Sequence, residues 1–343
     1  MKKVFANILP DVPYVPFLYP NLGVQERDSI LFLNNAFKGM KTPFVELVST
    51  PEEADYILLP HNYSSLKDHM RYIKEQSALA VKHNKKLIIF WHGDSDAPVN
   101  LSNVIVFRTS QYGYNQQVNE VMMPAYAEDL LQGELVLRSK RDAKPVVGFC
   151  GWADYKNAKN RFGTTVKNTI VDAVRVSGNQ NIGARKKGIT LRMKAIEQLK
   201  YSDRVEENFI IRSSYSGNSK TIKTDVEQTR KEYIQNMLDS DYALVVKGDG
   251  NYSYRFYEAL SLGRIPVLLD TDCLLPLEDV IDYDTCVLRV DFKNLPELGA
   301  IIAEHYENLV PAEFESMQRK ARAVFQDYLS IESYFRYISE KIL

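Results

Sequence analysis

The chain has 343 residues, of which 45% are hydrophobic and 25% charged, enough to bury full cores in two domains of ordinary size. Forty-three basic side chains nearly cancel 44 acidic ones, so the chain lacks the strong field that holds a polyanion, and nucleic acid is not expected as a partner. Its three cysteines, Cys150, Cys273 and Cys286, are odd in number and lack CxxC spacing, which points to reduced, buried thiols and away from a disulfide framework or a zinc site.

At the amino terminus the apolar stretch Val4 to Leu9 is cut short by Pro10 and Pro13, too early for a signal-peptide core. No run of about 18 apolar residues occurs further along, so no integral membrane segment is expected. Cytoplasmic localisation is the resulting expectation, with at most a peripheral place at the inner face of the membrane.

Short apolar runs then alternate with amphipathic stretches, the pattern of strands and crossover helices in a parallel sheet. The first half is predicted to hold strands at Val4 to Leu9, Phe44 to Val48, Tyr56 to Leu59, Lys86 to Trp91 and Val104 to Arg108, with helices over 25–38 and 66–83. The basic stretch Arg138 to Lys144 ends at Pro145 and marks a domain boundary. Beyond the new apolar run Val146 to Cys150, helices are expected over 164–177, 188–200 and 225–239, and strands at Phe209 to Ile211, Tyr242 to Val246, Ile265 to Leu269 and Cys286 to Val290. The pattern is that of an α/β protein with two Rossmann-like domains, 1–140 and 145–310. A helical segment, 311–343, is expected to brace the first domain.

Most of the chemistry lies in Tyr242 to Asp270, YALVVKGDGNYSYRFYEALSLGRIPVLLD. A buried strand opening into a glycine-containing turn and a helix amino terminus aims free N–H groups and the positive end of the helix dipole at a ligand, which suits phosphate. Gly248 and Gly250 permit close backbone approach, and Ser253 or Asn251 can cap the helix. Arg255 and Glu258 then fall three residues apart on one face. Arginine grips phosphate oxygens with a planar fork and a carboxylate accepts from ribose hydroxyls, although an i,i+3 pair of this kind is also an ordinary surface ion pair.

These residues resemble the carboxyl-terminal signature of exostosin-like glycosyltransferases: a glycine (Gly248), Ser-x-Arg (Ser253, Arg255), an acid before Ala-Leu (Glu258), Gly-x-Ile-Pro-Val (Gly263 to Val267), Asp270, and Leu275-Pro276 before an acidic tail. Upstream, Thr50 to Pro60 is similar to the family's acidic and Ala-Asp strand element, and Gly148 to Gly151 followed by Arg192 to its Phe-x-Gly loop and later arginine. The resemblance implies a GT-B fold with two parallel-sheet domains facing across a cleft. It also implies transfer with inversion from a UDP- or GDP-type nucleotide-sugar donor, no cofactor and no essential metal. Carried over, Arg255 holds the diphosphate and Glu258 the ribose, near Lys247, Gly248, Gly151 and Trp152. Arg212 and Ser213 are further donor contacts, or simply a solvated strand end. The first domain is shorter than in animal and plant members and lacks their Gly-x-Asp-His element, so an oligosaccharide, polysaccharide or lipid-linked glycan acceptor is expected without being specified.

An inverting transfer needs a base on the first domain. The strand KLIIFWHGDSD delivers His92, Asp94 and Asp96 at its carboxyl end; Asp94 is the choice, although Gly93, Asp94 and Ser95 are also ordinary turn residues. His61, after strand YILLP, is an alternative or a structural histidine. Four Asp-x-Asp pairs occur (Asp94/Asp96, Asp239/Asp241, Asp270/Asp272, Asp282/Asp284), too many for that short motif to argue for a metal. A nucleotide-sugar epimerase of the same shape and a non-catalytic carbohydrate-binding subunit remain competing readings.

Overall fold

A computed structural model describes residues 1–26, 31–131, 133–154, 163, 165–169, 171, 180–215, 217, 219–220, 222 and 225–343. Two parallel sheets organise the chain. The first contains β1 (Lys3–Ala6), β2 (Glu46–Leu47), β3 (Tyr56–Leu58), β4 (Lys86–Trp91), β5 (Val104–Arg108) and β6 (Glu120–Met122) in the order β2-β1-β3-β4-β5-β6. The second contains β7 (Val146–Trp152), β8 (Glu206–Arg212), β9 (Tyr242–Val245), β10 (Ile265–Asp270) and β11 (Leu288–Asp291) in the order β11-β10-β9-β7-β8. The described pairs in both sheets are parallel. This is α/β architecture with two parallel sheets, as the alternation of strands and helices predicts.

The strand sequences explain the layering. In β4, Leu87, Ile89 and Trp91 enter the core on one face while Ile88 and Phe90 enter the core on the other, so the strand is apolar from Leu87 on because both faces are covered. In β10, Ile265, Val267 and Leu269 face the second lobe's core, and Leu268 points into the core shared with the first lobe. That shared core joins Phe90 and Phe107 to Phe256, Tyr257 and Leu260, so the two lobes are fused beside the cleft.

The helices that connect or brace the sheets include α1 (Met70–Lys82), α2 (Gly188–Tyr201), α3 (Val226–Leu238), α4 (Tyr254–Ser261), α5 (Leu298–Asn308), α6 (Pro311–Val324) and α7 (Ile331–Lys341). Of these, α7 returns to the first lobe. Phe335 packs with ring centroids 5.2 Å from Phe17 and 5.8 Å from Phe90, and Tyr334 donates to the Met122 carbonyl at 2.8 Å. No helix among the described residues is long and apolar enough to cross a membrane.

Element edges shift by a few residues from the sequence expectations, and three differences go further. The helix expected over 25–38 is a 3-10 turn, Leu33–Phe37, entered through Phe32 in the left-handed region (φ 64°), while residues 27–30 lie outside the described residues. Strand β6 was not expected, because three residues are too short for any periodicity to show. Most of the helix expected over 164–177 lies outside the described residues.

Candidate active site

The second sheet reverses direction of growth between β7 and β9, and in open parallel sheets such a switch point opens a crevice beyond the strands' carboxyl ends. There a cleft of about 820 Å³ is lined by the loops after β7 and β9, the amino ends of α2 and α4, and first-lobe residues including Asp94, Tyr126 and Glu128.

Local sequence shapes its second-lobe wall. Ser253 takes the N-cap position of α4 in extended backbone without a side-chain cap bond, so its hydroxyl stays on the cleft. The other end of α4 is a Schellman stop: Gly263 has φ 61° and donates to Leu260, and Arg264 donates to Ala259. A Cβ on Gly188, which opens α2, would lie 2.2 Å from the Lys247 carbonyl, so only glycine lets α2 sit on the β9 loop. Asn251 does not cap α4. Its amide group donates to the carbonyls of Gln111 (2.9 Å) and Thr271 (3.3 Å), so it brackets the two lobes.

Two arginines converge on this wall. Arg255 lies 4.1 Å from the Phe149 ring and donates to the Cys150 carbonyl; Gly151 is needed beneath it, since a Cβ there would stand 2.8 Å from Nη2. Arg192, on α2, donates to the carbonyls of Trp152 (2.7 Å) and Lys247 (3.1 Å). The Nε of each is buried without a partner, and neither arginine has an ion pair with an acid among the described residues. Burial, aided by the neighbouring Arg255 charge, holds Arg192 down to about 10. Two adjacent, half-buried cations that make no ion pair among the described residues favour an anion beside them.

Arg255 and Glu258 turn to different partners, which removes the surface-pair reading. Glu258 accepts from the Tyr233 hydroxyl at 2.5 Å and from Arg230 Nη1 at 3.4 Å. Arg230 also pairs with Glu128 of the first lobe and lies 4.5 Å from the Phe32 ring, so Glu258 sits in a cross-cleft network. Sequence reasoning missed Arg230, Tyr233, Glu128 and Phe32; their separations along the chain leave no local signal.

The remaining expected residues divide. Gly248, Trp152 and Arg212 line the cleft, and Arg212 is already paired with Glu232 at 2.7 Å. Ser213 is exposed and outside the cleft lining. Lys247 is not a cleft residue either: it is 4% exposed, and its Nζ donates to the Tyr112 hydroxyl (2.8 Å) and the Ala184 carbonyl (2.6 Å). Burial lowers its pKa to about 7. Its position two residues after the end of β9 puts its side chain under the lobe junction, while its backbone carbonyl accepts from Arg192.

Opposite the arginines, Asp94 faces the cleft from the loop after β4. Burial raises its pKa above the ordinary value, helped by the charge of Asp249 and opposed by hydrogen bonds from Gly250 and Tyr252. The other candidates stand elsewhere. His61 is fully buried, accepting from the Leu9 N–H at 2.9 Å through Nε2 and facing the Pro13 carbonyl through Nδ1, a strap for the loop after β1. His92 stacks on Tyr126 with centroids 4.1 Å apart, and Asp96 pairs with Arg185. Asp241 and Asp270 pair with Arg138 (2.9 Å) and Arg289 (3.3 Å). Among the described residues no three His, Cys, Asp or Glu side chains gather as a metal-binding group.

Two parallel-sheet lobes thus border a cleft that has two half-buried arginines on its second-lobe wall and a carboxylate, Asp94, from the first lobe. Residues 177–305 match the Exostosin GT47 domain, a segment containing Arg192, Arg212 and all of Lys247 to Glu258. The chain is 32% identical over 108 residues to Exostosin-1 of Drosophila melanogaster, covering 31% of this chain and 14% of that protein. It is 34% identical over 70 residues to a probable glucuronosyltransferase of Oryza sativa subsp. japonica, covering 20% and 16%. The solved structure of TarM overlays with a TM-score of 0.34 at 11% identity, covering 77% of this chain and 57% of that one. The matched part thus spans about a seventh of the length of the fly protein. Over residues 177–305, then, the second half of the chain is similar to the exostosin-like glycosyltransferases.

Proposed function

We propose that the protein is an inverting glycosyltransferase that moves a sugar from a UDP- or GDP-type donor to a hydroxyl of a glycan or glycoconjugate, without a metal. The observation that carries this reading is the Arg192 and Arg255 pair at the switch point, without an acidic partner among the described residues and facing Asp94 across the cleft. Arg255 and Arg192 take the diphosphate together with the N–H groups at the start of α4, and Glu258 takes the ribose. As the bond to the leaving diphosphate lengthens, the negative charge that develops meets fixed donors, with no reorganisation needed at that moment. Asp94 accepts the proton of the attacking acceptor hydroxyl; its raised pKa strengthens it as a base once ionised.

Independence from metal is supported by the ion pairs that occupy Asp96, Asp241 and Asp270 within the Asp-x-Asp pairs. Activity that survives a chelator is the expected result, and complete loss restored by manganese would remove this part of the proposal. Incubation with donor alone separates the reading from an epimerase, since only an epimerase interconverts the sugar without an acceptor.

A further inference from the structure

The loop Gly93 to Ala97 is irregular, and the carbonyls of Gly93, Asp94, Ser95 and Ala97 find partners in the side chains of three consecutive residues at the end of β5, while that of Asp96 accepts from Asn115. Thr109 donates to the Gly93 carbonyl at 3.0 Å and accepts from the Gly93 N–H at 3.0 Å. Ser110 donates to the Asp94 carbonyl at 3.1 Å. Arg108, paired with Glu120, donates to the carbonyls of Ser95 (2.6 Å) and Ala97 (3.1 Å). All three side chains are buried, with Arg108 fully so. A buried arginine and two buried hydroxyls persist only when their hydrogen bonds are made, so this triplet fixes the path of the loop.

Ser110 has a second bond. Its oxygen accepts from the Asn251 N–H at 2.9 Å, and Asn251 lies in the second-lobe loop between Gly248 and Ser253. The same hydroxyl therefore touches the backbone of Asp94 on one lobe and the anion-binding loop on the other. Gly250 closes the contact, since a Cβ there would stand 2.7 Å from Asp94 Cα.

We propose that Ser110, seconded by Thr109, is a positioning residue that sets the Asp94 carboxylate against the anion-binding loop of the facing lobe. This rests on the reading of Asp94 as the base. A displacement of about 1 Å in a reacting group costs on the order of 10²-fold in rate, so the effect belongs in kcat and not in donor affinity.

The test is a kinetic double-mutant cycle with Ser110→Ala and Asp94→Asn, with nucleoside diphosphate affinity measured by calorimetry and folding checked by near-UV circular dichroism. The expected result is a kcat reduced on the order of 10²-fold in Ser110→Ala with unchanged diphosphate affinity, and no further loss when the change is made on Asp94→Asn. Wild-type kcat in folded Ser110→Ala, or a loss that persists in full on the Asp94→Asn background, overturns the proposal. An Asp94→Asn protein with wild-type kcat instead overturns the reading of the base, and the proposal with it. Thr109→Val, which keeps the shape and removes the hydroxyl, carries the same cycle if Ser110→Ala does not fold.

Discussion

Replacing Arg255 by alanine removes the group on which the proposed donor binding most depends. A hydrogen bond to a charged group contributes about 1.5–3 kcal/mol, and a guanidinium fork makes two. Arg192 stands beside it and is relieved of a like charge when Arg255 goes, so part of the loss is offset. The expected net cost is about 3 kcal/mol, roughly a hundredfold in Kd for a nucleoside diphosphate. Arg255→Lys restores the charge without the fork and should recover only part of that affinity. Stability should change little, because the substitution removes a half-buried charge that has no ion pair among the described residues and at the same time orphans the Cys150 carbonyl. Calorimetric titration of UDP and GDP into wild type, Arg255→Ala, Arg255→Lys and Glu258→Ala measures this. Wild-type affinity in both alanine variants would refute the placement of the donor.

Asp94→Asn should lower kcat to a small but measurable residual rate while leaving diphosphate affinity intact. Because the carboxylate's pKa is raised, wild-type kcat/KM should fall with decreasing pH along a limb that begins above the ordinary carboxylate range; a limb at or below that range would contradict the base assignment. Gly250→Val drives a side chain into Asp94 and Tyr252, and overpacking of this kind should cost about 1–3 kcal/mol in a denaturation curve and lower kcat as well. Lys247 carries a pH signature in stability. Its folded pKa of about 7 lies below the unfolded value near 10.4, so the unfolded chain binds more protons between the two and stability should rise with pH across that window. The difference in Tm between wild type and Lys247→Met, followed from pH 7 to about 9, should show this rise, and a flat difference would show that the amine is not desolvated as described.

The parts of the molecule legible in the sequence are those whose signals are local. Strand β9, the Gly248 to Ser253 turn, helix α4, the Gly263 stop and strand β10 succeed one another within about thirty residues, and each is specified by backbone chemistry that its own residues carry. The apolar run Leu87 to Trp91 of β4 announces a strand covered on both faces, and the helical segment expected over 311–343 contains α7, which does pack on the first lobe. What failed to show was set by distant partners. Lys247 reads as a residue beside the donor until Tyr112, 135 residues away, claims its ammonium. Glu258 reads as half of an ion pair with Arg255 until Tyr233 and Arg230 take it. His61 stands at a strand end, as a catalytic histidine does, but the turn at Leu9 to Pro13 folds over it and uses both ring nitrogens. The Asp94 loop was visible as a turn, whereas the side chains of Arg108, Thr109 and Ser110 that hold it could not be assigned before β4 and β5 were seen side by side.

The central claim is that the cleft binds a nucleotide-sugar and releases its diphosphate as the sugar passes to an acceptor. The most direct measurement is release of nucleoside diphosphate from a panel of UDP- and GDP-sugars, with and without a mixture of oligosaccharide, polysaccharide and lipid-linked glycan acceptors, together with determination of the product's anomeric configuration. The expected result is acceptor-dependent release from one donor, an inverted linkage in the product, and a large drop in transfer in Arg255→Ala and Asp94→Asn. Acceptor-dependent transfer that continues unchanged in those two variants, or a retained configuration, would contradict it.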